Sequence, residues 1–363
     1  MKKIIHLCVL MMAAFNLNAQ SQKIYYVGHS LTNLDMPYMV QQLAQAANKP
    51  ADYRHHINIG APLSLQWAEP WKFNGNAYWV ASQGRDVEYG TDFLIELARG
   101  GYTTLVLTEA QPFQSNLNFN DGIGHGRKFD SVARRASPNI KTYCYETWSH
   151  VVNNNYTSWR QRINEDRPFW EKMAGGIRPD SLIVPAGQAM AALYDALLRG
   201  SVGRLTNINQ IFSDDIHLNN TGNYYVALVM YATLFKTSPE GLPDISAGPY
   251  QQNTRVETDA ATRLALQRLA WQTVSNYRFT RIVTATNEVS EKQIFLYPNP
   301  TLGHVFLGNT EGVLSLDLCD MQGQLLKQFA VQQVLDITDL PSGMYVFVIK
   351  RKQSQSILKV TKM

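Results

Sequence analysis

Along residues 23–278, short apolar runs rich in β-branched and aromatic residues alternate with longer segments whose apolar positions recur every three to four residues. Ile24–Val27, Tyr53–Ile57, Thr104–Thr108, Lys141–Tyr145 and Leu182–Pro185 read as strands. Met36–Ala47, Asp92–Arg99, Tyr156–Met173 and Gly187–Leu198 read as helices between or after them. This alternation predicts an α/β fold, a parallel sheet with helices on both faces. Thr221–Phe235 has almost no polar face and reads as a buried helix. Thr254–Tyr277 reads as a closing helix, with Thr254 and Glu257 at capping-box spacing and Leu264, Leu266, Leu269, Trp271 and Val274 placed to cover the sheet.

From Gln293 the texture changes. Strand-like segments recur at Ile294–Tyr297, His304–Leu307, Leu314–Cys319, Leu325–Phe329, Val334–Ile337, Met344–Lys350 and Ser356–Thr361. Turn signals such as Asn299-Pro300, Gln322-Gly323 and Pro341-Ser342-Gly343 separate most of them. Many short strands with turns between them predict a small C-terminal β-sandwich. The polar stretch 281–292 reads as a linker, leaving domains at 22–280 and 293–363.

The first 19 residues have a basic start at Lys2 and Lys3, an apolar stretch from Ile4 to Phe15, and Ala19 at a cleavage position, the pattern of a secretion signal. The apolar run is shorter than the ~20 residues of a spanning helix. The formal charge of +4 falls to +2 without those two lysines. So mild an excess gives no argument for nucleic acid or a membrane surface as partner. Of three cysteines, Cys8 lies in the signal, and Cys144 and Cys319 fall in different domains as small buried hydrophobes. No Cys/His spacing suggests a zinc site, and neither metal nor cofactor is expected.

The chemistry centres on two short motifs. Gly28-His29-Ser30-Leu31-Thr32 follows the first strand, and Asp214-Asp215-Ile216-His217 precedes the buried helix. In open α/β sheets, sites form beyond the carboxyl ends of strands, where Ser30 stands. A serine hydroxyl needs a base to take its proton, and the base works best when a carboxylate orients it. Ser30 as nucleophile, His217 as base and Asp214 as orienter fit those roles. On one helical turn, Asp214 and His217 would share a face. Structural alternatives stand beside each role: Ser30 as a cap, with Asn33 and Asp35 nearer the helix; His217 as a structural histidine; Asp215 as the competing orienter.

The first motif resembles the opening block of the SGNH (GDSL-like) hydrolases, with His29 where many members have aspartate, and Asp214–His217 resembles their last block. Ile59-Gly60-Ala61 is similar to the second block, whose glycine supplies an oxyanion-hole amide. The third block usually reads Gly-x-Asn; here the strand end is Leu107-Thr108-Glu109-Ala110-Gln111-Pro112, without asparagine. The resemblance implies an SGNH-like sheet over residues 22–280 and an oxyanion hole from the amides of Ser30 and Gly60. Gln111 is the replacement donor, since its side-chain amide can also donate. Gly60 also reads as an ordinary turn glycine, and Glu109 as a buried acid or a solvated strand end. The C-terminal segment resembles the type A sorting domain of the type IX secretion system of Bacteroidetes. The resemblance lies in Leu296-Tyr297-Pro298-Asn299-Pro300, Asp320-Met321-Gln322-Gly323-Gln324, Leu340-Pro341-Ser342-Gly343-Met344-Tyr345 and the late basic residues Lys350, Arg351, Lys352, Lys359 and Lys362. It implies export via the periplasm to the medium or the cell surface, with the secretion machinery as partner.

Other features are less pointed. His55 and His56 would face opposite sides of a strand, with at least one at the surface. Gly124-His125-Gly126 falls in a mostly polar stretch, Asn116–Lys128, that reads as a loop. Trp148 follows a strand, where it could stack on a sugar or belong to the core. Trp67, Trp71 and Trp79 fall in an irregular stretch, Gln66–Tyr89, readable as a substrate-binding loop or a satellite core. The expected function is a secreted serine esterase removing O-acetyl or similar groups from carbohydrate. The alternatives are a lipase or general carboxylesterase, or a non-catalytic carbohydrate-binding protein on the same fold.

Overall fold

The run Ile24–Val27 forms the middle of a seven-stranded sheet. The computed structural model describes residues 21–282 and 295–363, except 33–34, 69–71, 74–75, 78, 83–85, 90–92, 201, 249–253, 255, 257, 298, 309–311, 333 and 352–354. The secretion signal, Asn33, Trp71 and nearly all of the linker therefore lie outside the described residues. The chain divides into two compact units after Ile282.

In the first unit the order is β1 (Gln22–Gly28), α1 (Met36–Ala46), β2 (Ala51–Ile57), α2 (Leu63–Ala68), β3 (Lys72–Phe73), β4 (Asn76–Ala77), β5 (Trp79–Ser82), β6 (Asp86–Tyr89), α3 (Phe93–Ala98), β7 (Thr104–Leu107), α4 (Phe113–Phe119), α5 (Gly122–Ala136), β8 (Lys141–Glu146), α6 (Tyr156–Ile177), β9 (Leu182–Pro185), α7 (Ala186–Arg199), α8 (Asn220–Phe235) and α9 (Ala260–Asn276). The sheet order is β6-β5-β2-β1-β7-β8-β9. From β2 to β9 neighbouring strands are parallel; β5 and β6 add an antiparallel edge beyond β2. The strands read as unbroken apolar runs because both faces are buried. Ile24 and Tyr26, Val106, Tyr143 and Tyr145, and Leu182 and Val184 join one core with α1, α7, α8 and α9. Tyr25 and Val27, Leu105 and Leu107, Cys144 and Ile183 point the other way, into a second core with α2 to α6. Side-chain alternation in each strand thus feeds two cores at once.

Four expectations are corrected. His55 and His56 are both fully buried, because β5 and β6 make β2 an internal strand and helices cover both faces. Gln66–Tyr89 contains four short strands among its described residues; Trp67 itself is in α2, its ring edge-on to Phe129. Asn116–Lys128 is not a loop but the end of α4 and the start of α5. Its glycines mask helical propensity, yet Asp121 caps α5 by accepting from Gly124 N–H, and Phe129 and Ala133 bury the helix in the second core. Finally, α9 starts at Ala260, with Asp259 accepting from the Ala261 and Thr262 N–H groups. Thr254 pairs instead through its carbonyl with Ala247 N–H at 2.7 Å, ahead of the helix.

The second unit holds β10 (Phe295–Tyr297), β11 (His304–Gly308), β12 (Val313–Cys319), β13 (Leu325–Phe329), β14 (Val334–Asp336), β15 (Gly343–Arg351) and β16 (Gln355–Lys362). They form a three-stranded sheet, β10-β11-β14, and a four-stranded sheet, β13-β12-β15-β16. Val305, Leu307, Leu335 and Ile337 from the first sheet's region pack with Leu316, Leu318, Phe347, Ile349 and Val360 from the second. The inward-facing residues of the two sheets meet in this one core, the pattern of a sandwich.

Burial pushes the His55 and His56 rings down from their usual 6.5 to about 3, with Arg54 adding to the shift on His55 and His55 to that on His56. Between pH 6.5 and 3 the unfolded chain therefore binds protons that the folded chain refuses. The stability these rings confer is complete above pH 6.5 and is lost as pH falls. Urea titrations at pH 7 and pH 4 should show a smaller fall in midpoint for His55→Gln than for the parent. Equal falls would mean that His55 takes a proton in the folded state.

Candidate active site

The two strands beside β1 end level with it. Thr108 N–H donates to the Val27 carbonyl at 3.1 Å, and Asn58 N–H to the Gly28 carbonyl at 3.0 Å. The loops carrying Ser30, Gly60 and Glu109–Gln111 therefore leave the same edge of the sheet. β2 lies on one side of β1 and β7 to β9 on the other, so this edge is the switch point where open α/β sheets form their sites.

Beyond β1 the chain turns at once, with Thr32 N–H donating to the His29 carbonyl at 2.9 Å. A Cβ on Gly28 would lie 2.0 Å from Thr32 Oγ1, so only glycine lets this turn fold back. His29 is buried. Its Nε2 lies 3.0 Å from the Glu109 carbonyl and must donate; its Nδ1 accepts from Leu31 N–H at 3.4 Å. Burial lowers its pKa to about 4 against the pull of the Glu109 carbonyl, and His217 lowers it further. His29 is thus a neutral ring that braces the loop, where the resembled family often has aspartate. Tyr145 OH, near the end of β8, donates to the Leu31 carbonyl at 2.9 Å and so ties this loop to the strand that leads to Trp148.

The second motif is not a helical turn. It is a loop between a short turn of 3₁₀ helix, Ile208–Ile211, and α8. A bridge between Phe212 and Leu218 closes it, with Ser213 N–H donating to the His217 carbonyl at 2.8 Å. Asp214 bends the loop onto itself. Its Oδ1 accepts from the Ile216 and His217 N–H groups at 2.8 and 2.6 Å, and its Oδ2 from His217 Nδ1 at 2.7 Å. Burial would raise the Asp214 pKa, but these backbone donors and the imidazole outweigh it and hold the carboxyl below its usual range. With Nδ1 donating, the His217 ring keeps Nε2 as a proton acceptor. Asp215 pairs elsewhere, with His150 Nδ1 at 3.2 Å. Ser30 is half-buried, and among the described residues no hydrogen bond joins it to His217.

Trp148 does not offer a stacking face. Its ring is 1% exposed and its Nε1–H donates to the Ile216 carbonyl at 2.8 Å, so it supports the Asp214–His217 loop from beneath. Val151 N–H donates to the Asp215 carbonyl at 2.8 Å in the same way. Gly60 is exposed in the turn Asn58–Ala61, where Ala61 N–H donates to the Asn58 carbonyl at 3.1 Å. Its φ of +71° at the third position is that of a type II turn. Gln111 accepts from Phe113 N–H at 3.0 Å and donates one amide hydrogen to Thr147 Oγ1 at 3.3 Å, which leaves its second N–H available.

Sequence reasoning left Glu109 undecided, and the structure makes it a hub. Its Oε1 accepts from Leu63 N–H at 3.1 Å and Ala110 N–H at 2.8 Å, while its carbonyl holds His29. One buried residue therefore ties the loops after β1, β2 and β7. Burial pushes its carboxyl up to about 7, against the lowering effect of those two donors. An acid immediately after a continuous apolar strand was the available signal. Among the described residues no group of three or more acidic, histidine or cysteine side chains is placed to hold a metal.

Residues 295–363 match the family described as the secretion system C-terminal sorting domain. The type IX sorting domain makes this a secreted or cell-surface protein. No helix among the described residues is long and apolar enough to cross a membrane. No curated protein matches the chain. Among solved structures, a DUF4886 family protein from Bacteroides uniformis ATCC 8492 is similar at 14% identity and a TM-score of 0.54, over 74% of this chain and 99% of that one. That likeness is one of fold. A protein assigned as a GDSL-like lipase from Parabacteroides merdae ATCC 43184 (13% identity, TM-score 0.39) aligns over 58% of this chain and 94% of its own. A carbohydrate esterase family 3 protein from Talaromyces cellulolyticus (12%, 0.35) aligns over 59% and 97%.

Because Glu109 Oε1 accepts from both Leu63 and Ala110, Glu109→Ala should leave two buried N–H groups without an acceptor, at about 1–3 kcal/mol each. Glu109→Gln keeps the accepting oxygen and should cost about 1 kcal/mol or less. Urea unfolding at pH 7 measures both, and equal losses for the two variants would reject the tie.

Proposed function

We propose that this chain is a secreted ester hydrolase in which Ser30 is the nucleophile, His217 the base and Asp214 the orienter. One observation carries the reading: a carboxylate, fixed by two backbone N–H groups, holds an imidazole at 2.7 Å in the tautomer a general base needs. The end of β8 and the residues just after it touch both motifs: Tyr145 OH donates to the Leu31 carbonyl at 2.9 Å, and Trp148 Nε1–H to the Ile216 carbonyl at 2.8 Å. In the reaction, Ser30 Oγ bonds to the ester carbonyl carbon as His217 Nε2 takes its proton. The ester C–O bond then breaks and His217 returns the proton to the leaving alcohol. Water, deprotonated by the same ring, next attacks the acyl-serine, which releases the carboxylic acid and restores the hydroxyl. The amides of Ser30 and Gly60, with the second N–H of Gln111, face the developing oxyanion, and one such donor is typically worth ~3 kcal/mol. The Ser30–His217 hydrogen bond forms when substrate binds, since such contacts often tighten only in the substrate complex.

The substrate is an O-acyl carbohydrate, acetyl esters foremost. The reading rests on the delivery of the protein to the cell exterior by its sorting domain, after residues 1–19 take the chain into the periplasm, and on the hydroxyl and amide groups in the wall of the cleft described below. Cleavage of the ester requires no cofactor. A second reading, a carbohydrate-binding protein without turnover, draws on the absent Ser30–His217 hydrogen bond and on Gln111 standing where the resembled family has asparagine.

Hydrolysis of 4-nitrophenyl acetate by the purified chain separates the two. Ser30→Ala should lower kcat at least about 10³-fold, and Asp214→Asn about 10²–10⁴-fold with KM little changed. Circular dichroism should show both variants folded. Absence of turnover in the parent, or equal turnover in the parent and Ser30→Ala, would reject the hydrolase and leave the binding protein.

A further inference from the structure

A cleft of about 670 Å³ opens between the start of α4, the loop after β8 and the first turns of α6. It meets the candidate active site at two points. Gln111, the replacement oxyanion donor, lies in its wall. His150, also in the wall, pairs with Asp215 at 3.2 Å, beside the orienting Asp214. The volume falls within the range of ligand sites, ~300–1,000 Å³, and an acetyl group would leave most of it unfilled.

The lining selects the ligand's chemistry. Its ionisable groups already have partners within the protein: Arg162 lies 3.2 Å from Glu165, His150 lies 3.2 Å from Asp215, and the buried Asp166 accepts from the neutral Gln114 amide at 2.8 Å. The other polar groups of the wall are neutral. Ser149 Oγ is buried in the wall and has no hydrogen-bond partner among the described residues. Asn155 spends its Oδ1 on Ser158 N–H, which leaves its amide hydrogens to donate. Hydroxyls and amides that both donate and accept match ligand hydroxyls, which do the same. Apolar surface makes up more than half of the exposed wall, the exposed Val152 included, and suits the CH faces of sugar rings. An acyl chain would instead strand these polar groups without partners.

We propose that this cleft holds the alcohol side of the substrate, a neutral polyhydroxylated group such as the sugar residues adjoining the ester, while the acyl group faces Ser30. The assignment rests on the ester-hydrolase reading for the direction of the substrate, but the cleft's affinity can be measured without turnover.

The experiment uses two cleft-filling variants on opposite walls, Ser115→Trp and Ser158→Trp, both at exposed positions. Two substrates are compared: 4-nitrophenyl acetate, which has no polyol, and O-acetylated cellobiose. The ratio of kcat/KM for the sugar ester to that for the nitrophenyl ester should fall at least tenfold in each variant, through KM and with kcat held. An unchanged ratio in both variants overturns the proposal. Calorimetric titration with cellobiose is the second arm, with binding expected for the parent and loss of binding for Ser158→Trp. Should the parent hydrolyse neither ester, the hydrolase reading fails and the titration alone decides: binding that Ser158→Trp abolishes sustains the cleft, and no binding overturns it.

Discussion

Burial of β1 on both faces is the constraint on which the rest depends. A strand that feeds Ile24 and Tyr26 into one core and Tyr25 and Val27 into the other can neither slip by one residue nor tilt without emptying both cores. Its register with β2 and β7 is therefore fixed, and with it the level at which three loops leave the sheet. Gly28, the last residue of β1, then lets the chain reverse within four residues, so Ser30 stands close over the strand end instead of on a long arm. Position at this site descends from packing and is only refined by hydrogen bonds.

Glu109 supplies the refinement at a cost. A carboxyl group buried behind β7 is unfavourable on desolvation grounds, and its raised pKa records that. It persists because one oxygen serves two backbone donors from separate loops, Leu63 and Ala110, that would otherwise be buried unsatisfied. His29 adds the third connection through the Glu109 carbonyl, and the same burial keeps its ring neutral, so no charge is added beside Ser30.

Much of this was legible in the sequence, and the failures have physical reasons. The five parallel strands announce themselves as β-prone runs because burial of both faces leaves few polar residues to interrupt them, and the seven of the C-terminal unit because turn residues separate short β-prone runs. α5 was hidden because Gly122, Gly124 and Gly126 lower helical propensity locally, while the packing that rescues the helix comes from Phe129 and Ala133 further along. The burial of both His55 and His56 could not be read from β2 alone, since it follows from β5 pairing beyond it. Ser30, Asp214 and His217 were legible as residue types at the ends of elements. The role of Trp148 was not, because a buried tryptophan whose N–H serves a distant carbonyl leaves no local signature.

The Asp214–His217 pair shows why loop architecture matters more here than ion pairing. Asp214 is 51% and His217 43% exposed in their side chains, and an exposed pair of this kind contributes only about 0–1 kcal/mol. That is too little to hold a ring in one orientation against side-chain entropy. Direction comes instead from the backbone. Asp214 is clamped by two N–H groups, the Phe212–Leu218 bridge closes the loop, and Trp148 and Val151 anchor it to the chain after β8 at the Ile216 and Asp215 carbonyls. The imidazole inherits its tautomer and aim from that frame. The segment that supplies Trp148 and Val151 also carries Ser149 and His150 into the neighbouring cleft wall, so the loop that orients the His217 ring and the wall of the cleft are parts of one hydrogen-bonded unit.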